Sequence, residues 1–127
     1  MRDIAIVAYS QTDCVRSAGA ANEVELIMPQ LSAVFDQAGL SNSQDVDFVC
    51  SGSCDYLQGA AFAFVAGVDA LGAVPPIKES HVEMDAAWAL CESILKIRMG
   101  HADSALVYGF GLSSPGELPI VLSQQLD

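Results

Sequence analysis

Short apolar runs alternate along this chain with stretches whose apolar residues recur at helical spacing, and no other feature constrains the fold as much. Residues 4–9 (IAIVAY), 45–50 (DVDFVC), 81–84 (HVEM) and 104–108 (SALVY) have strand length and strand composition. Between them, Val24, Ile27, Leu31, Val34, Phe35 and Ala38 repeat at helical spacing, as do Ala86, Ala87, Ala89, Leu90, Ile94, Leu95 and Ile97. Residues 55–71 are too long for a strand and rich in alanine, which predicts a third helix. That segment is apolar almost all round, so burial on more than one side is expected. The order βαβαβαβ implies a mostly parallel sheet, and such a sheet needs both faces covered.

Punctuation supports the same order. Asn22 and Glu25 have the spacing of a capping box. Gly39, Gly72 and Gly100 stand where helices should stop. Pro29 predicts a kink or a later helix start, because it removes one backbone bond. Asp85 has the place of an N-cap. Ser51-Gly52-Ser53 and Ser113-Ser114 read as turn residues. After Gly109 the chain becomes turn-rich, and it ends in an apolar or helical stretch over residues 118–126.

Composition excludes several functions. Five Lys and Arg stand against 16 Asp and Glu, giving a net charge of −11. A phosphate backbone or an anionic membrane surface would be repelled. The longest apolar stretch, residues 60–68, is far shorter than the roughly 20 residues a spanning helix needs. The N-terminus lacks a signal-peptide layout. With 127 residues, 52% hydrophobic and 17% charged, one domain with a real core is expected. So few charges leave apolar surface for another chain to cover, which predicts a dimer or higher oligomer.

Cys14, Cys50, Cys54 and Cys91 form no zinc pattern, and neither do His81 and His101. Reduced cysteines in a cytoplasmic protein, without metal, are expected. Cys91 reads as a core cysteine and Trp88 as a packing residue. Tyr9, Tyr56 and Tyr108 read as core or interface residues. No GxGxxG, GxxxxGK[ST] or GxSxG motif occurs.

The informative stretch is ESHVEMDAAWAL, residues 79–90. With YGFGLSSPGEL further on, IAIVAYSQT at the start, NEVELIMPQLSAVFDQAGLSNSQDVDFVCSGSCDYL between, and PIVLSQQLD at the end, it resembles the thiolase superfamily. More narrowly, the chain resembles the N-terminal half of sterol-carrier-type thiolase-like proteins, the lipid-transfer proteins and steroid side-chain aldolases. The resemblance implies an incomplete thiolase-like fold. Residues 1–112 would be the N-terminal core and 113–127 the start of a loop domain. The C-terminal half would lie on the same longer chain or on another.

In thiolases a cysteine at a helix N-terminus accepts the acyl group. Unpaired N–H groups there stabilise a thiolate. The family pattern laid on this sequence puts Ala86 at that place. Alanine forms no thioester. The resemblance therefore implies retro-aldol cleavage of an acyl-CoA, with a sterol side chain as the acyl part. The CoA thioester is then the substrate, and no separate cofactor is implied. It also implies a small OB-fold partner protein.

Two other functions stay open: thiolytic acyl transfer, and a non-catalytic structural or lipid-binding subunit that pairs with an active partner. The polar groups able to serve a reaction are His81, Glu83 and Asp85. With Val82 inward, His81 and Glu83 share one strand face. His81 is a base, an oxyanion donor or a structural histidine. Glu83 is a base or a buried or interface carboxylate. Asp85 is a base or a helix cap.

Overall fold

The computed structural model describes residues 2–58, 62–72, 78–112 and 123. Three parallel strands form one sheet: β1 (Phe48–Ser53), β2 (Glu79–Glu83) and β3 (Ala105–Gly109). β1 lies in the centre, in the order β2-β1-β3. The helices are α1 (Glu23–Ala38), α2 (Asp55–Gln58), α3 (Phe64–Leu71) and α4 (Ala86–Arg98). The chain is thus α/β, with a parallel sheet.

Strand alternation divides the core into two layers. Val49, Leu106 and Tyr108 point to one face and pack with Ile27 and Leu31 of α1 and Leu71 of α3. Phe48 and Cys50 point to the other face and pack with Ala89 of α4 and Ala102, against Val82 and Val107. Helices therefore cover both faces, as a parallel sheet requires. The interior is modest: each fully buried aliphatic side chain contributes about 1.5–3 kcal/mol, and the buried set is dominated by Ile, Leu, Val and small residues.

The helix ends follow the sequence closely. The Asn22 side chain accepts from Glu25 N at 2.9 Å, and the Glu25 side chain accepts from Asn22 N at 2.9 Å. Gly39 ends α1 at φ 69°, and Gly72 ends α3 at φ 62°. These are left-handed positions that suit glycine. Pro29 sits inside α1, which continues through it. Asp85 caps α4 by accepting from Ala87 N and Trp88 N.

Several expectations fail. Residues 4–9 form no strand, so there are three strands among the described residues and not four. Ile6 and Val7 are 75% and 80% exposed. A strand exists only by pairing, and residues 4–9 pair with neither outer edge of the sheet, on β2 or on β3. The segment instead lies along α1: Tyr9 N donates to Gln37 Oε1 at 3.3 Å, and Ser10 Oγ to Gln30 Oε1 at 2.6 Å. Ser51-Gly52-Ser53 is the second half of β1 rather than a turn. β2 begins at Glu79, two residues before the expected start.

The helix expected over residues 55–71 is two helices. The Asp55 carboxylate accepts from Phe62 N at 2.6 Å and Ala63 N at 2.9 Å, and this clamps a turn in which Phe62 has φ 60°. Cys91 is exposed rather than buried. Trp88 is 56% exposed, and Tyr9 is exposed, while Tyr108 does enter the core. The expected terminal segment, 118–126, lies outside the described residues except for Ser123, as does the loop-domain boundary at 113.

Candidate functional site

The C-terminal ends of β1, β2 and β3 open onto one cavity of about 430 Å³. Its wall includes Gly52 near the end of β1 and Cys54 just after it, Leu57 and Gln58 of α2, Met84, Asp85 and Ala86 at the start of α4, and Gly109, the last residue of β3, with Phe110 to Leu112 after it. In open parallel sheets, ligands bind in the crevice beyond the strands' carboxyl ends.

Two glycines bring α4 to the strand ends. A β-carbon on Gly52 would fall on the carbonyl group of Asp85 and 2.7 Å from Ala86 N. One on Gly109 would stand 2.5 Å from the Ala86 β-carbon and 3.0 Å from its nitrogen. No other residue type permits this approach. The first helical residue, Ala86, therefore forms part of the cavity wall. Its N–H has no intrahelical acceptor, because the first turn of a helix leaves its donors free. Asp85 Oδ1 already takes two of the others, Ala87 N at 2.9 Å and Trp88 N at 3.3 Å.

His81 and Glu83 lie elsewhere. They are absent from the cavity wall and sit on the α3 side of the sheet. Register places His81, Ser51 and Tyr108 in one row across β2, β1 and β3. Ser51 Oγ and His81 Nδ1 are 3.0 Å apart. His81 Nε2 is 3.5 Å from Glu83 Oε2, and Glu83 Oε1 accepts from Asp55 N at 2.7 Å. The Phe64 ring stacks on His81 at 4.8 Å between centroids, and Gly67 leaves room for the Tyr108 ring.

The row has the residue types of a serine–histidine–carboxylate nucleophile. Ser51 is 0% exposed, so no substrate carbon reaches its oxygen. The row instead ties β2 to the turn that carries α2. The local sequence Ser51-Gly52-Ser53 predicts a turn, and nothing within it distinguishes the serine that takes part.

Burial governs the titrating groups around the strands. It pushes the Cys50 thiol up to about 11, and the Glu92 charge adds to this. It raises the Tyr108 hydroxyl well above its ordinary value and raises Glu79 as well, where the neighbouring His81 opposes it. Neither Cys50 nor Tyr108 is therefore a nucleophile or a base near neutral pH. Cys54 is the cysteine at the cavity, and it is partly exposed.

One cavity residue escaped the sequence. Gln58 is 6% exposed, and both its amide oxygen and its amide nitrogen are buried without a partner. Each such orphan costs about 1–3 kcal/mol. Among the described residues no group of three or more His, Cys, Asp and Glu is placed to hold a metal. No helix among them is long and apolar enough to cross a membrane. Comparison with protein-family models, with curated proteins and with solved structures gave no match.

Proposed function

We propose that the chain supplies the scaffold and part of the site of a thiolase-like carbon–carbon lyase acting on acyl-CoA, with sterol side-chain thioesters as the substrate class. One observation carries this reading: Ala86, at the place the resemblance gives to the acyl-accepting cysteine, lies in the cavity wall at the N-terminus of α4. A methyl group there forms no thioester. Retro-aldol cleavage needs none.

Of the three groups singled out by the sequence, Asp85 alone lines the cavity. In the proposed reaction its carboxylate takes the proton of the β-hydroxyl group. The bond between the α and β carbons breaks, and its electron pair moves into an enolate at the thioester. The β carbon becomes an aldehyde or ketone. The proton held by Asp85 then passes to the α carbon, which yields the shortened acyl-CoA and restores the carboxylate. The free N–H and positive dipole end of α4 favour the enolate oxygen. His81 and Glu83 take no direct part and hold the turn before α2.

The test is incubation of the full chain, together with any chain that co-purifies with it, with a β-hydroxyacyl-CoA. A carbonyl product and a shortened acyl-CoA, formed without free CoA, are expected. An absolute requirement for free CoA would mean thiolysis and would overturn the lyase. Cys54 is then the thiol to test, since it lines the cavity.

A second function has its own support. Trp88, Leu95 and Met99 are exposed along α4, and Ile6, Val7 and Tyr9 are exposed near the N-terminus. Such surfaces suit a non-catalytic subunit that pairs with an active chain. Native mass spectrometry distinguishes the two. A second chain in fixed ratio that is active without this one would favour the subunit role.

A further inference from the structure

Exposure orders the large apolar side chains of the cavity wall. Leu57 and Met84 are half-exposed and stand at the mouth, with the exposed Asp85 next to Met84. Phe110 is held by the core: it packs against the layer under α1 and stacks on the Tyr108 ring at 6.5 Å between centroids. Leu112 is different. It lines the cavity and is only 8% exposed, yet among the described residues it belongs to neither layer of the core. Its burial is therefore that of an inner wall and not of a core residue.

Charge sets the direction in which a ligand enters. Among the described residues the wall holds no Lys or Arg, and the Asp85 carboxylate stands at the mouth. Phosphate groups are disfavoured inside such a site, and an apolar end is favoured there. An apolar chain thus runs inward to Leu112, and any phosphates stay outside.

We propose that Leu112 is a specificity-determining residue: its side chain closes the inner end of the cavity and limits the length of apolar chain that the cavity accepts. The inference rests on the lyase reading in one respect: there the chain is the part of the acyl group beyond the β carbon. Leu112 acts by contact alone.

The expected effect follows from packing. Each methylene that enters an apolar site raises affinity about fourfold. A methylene that meets a close-packed wall raises it no further. Affinity should therefore climb with chain length and then break. Leu112→Ala clears space for about three carbons, so the break should move to longer chains by about that number. Leu112→Phe should move it to shorter ones.

The test uses the full chain and CoA thioethers, which resist cleavage, with straight alkyl chains from butyl to hexadecyl, titrated by calorimetry. Opposite shifts of the break in L112A and L112F are expected, since a general loosening of the fold would not move it in both directions. Leu112→Val provides a smaller step if L112A folds poorly. A break that neither variant moves, an affinity without a break, or no binding of any probe would overturn the assignment. The two proposals fail separately. A break that moves, without cleavage of any β-hydroxyacyl-CoA, leaves Leu112 in place and removes the lyase. Cleavage with a break that stays fixed in both variants removes Leu112 alone.

Discussion

Replacing Gly52 by alanine tests whether the close approach of α4 to the strand ends is real. The new β-carbon would overlap the Asp85 carbonyl group and stand 2.7 Å from Ala86 N. Ordinary contact begins near 3.4 Å, so the nitrogen must retreat by about 0.7 Å, and the carbonyl by more. Both obstacles are backbone atoms, so no side-chain rotation relieves them. The start of α4 has to move, and with it the packing of Ala89, which is fully buried against Phe48 and Cys50. Overpacking of this kind costs about 1–3 kcal/mol, with backbone obstacles at the upper end. Alanine also restricts the unfolded chain, which offsets about 0.4–1 kcal/mol. The expected net loss is about 2 kcal/mol. For a chain of this size that corresponds to a fall in Tm of about 8 °C.

Thermal and urea unfolding measure the loss. Gly111→Ala is the matched control, because Gly111 also lines the cavity but has nothing within 4 Å of its built β-carbon. It should change stability by no more than about 0.5 kcal/mol. If Gly52→Ala is as stable as Gly111→Ala, α4 does not start against β1 and the cavity described above does not exist in that form.

Two further outcomes separate capping from chemistry and fix the burial of a thiol. Asp85→Asn keeps an N-cap acceptor and should leave Tm unchanged while slowing cleavage by about a hundredfold or more; Asp85→Ala should lose both the activity and about 1 kcal/mol. Unaltered cleavage by Asp85→Asn would remove Asp85 as the base. Cys50 has a folded value raised from 9.0 to about 11, so its contribution to stability is complete below pH 9 and is lost as pH rises toward 11. Cys50→Ala should flatten that alkaline fall, and disulfide-exchange labelling at pH 8 should modify Cys14 and Cys91 while sparing Cys50 until the protein unfolds. Early labelling of Cys50 would show that β1 is not covered by α4.

The pairing of residues across the sheet explains why so much of the candidate site was illegible in the sequence. Asp85 was legible because a cap depends on residues two and three positions away. Ser51, His81 and Tyr108 are 30 and 27 positions apart in the chain, and they meet only because three strands share one register. Gln58 is the last residue of a short helix, α2, which begins at Asp55, and the Asp55 carboxylate clamps the turn before α3. No periodicity signals such a clamp.

The sequence by itself determined the α/β class, the caps at Asn22 and Asp85, the glycine stops at Gly39 and Gly72, and the strands near residues 48, 80 and 105. All of these rest on interactions within a few residues. Tertiary structure decided which apolar run became a strand. Residues 4–9 have strand composition, yet the run pairs with neither edge strand and remains outside the sheet, along α1. It also decided that Cys50 is buried while Cys91 faces solvent, and that Ala86 and Gln58 share one cavity. Hydrogen bonding along the chain fixes a helix locally, whereas a strand, a buried face and a cavity are properties of what packs against them.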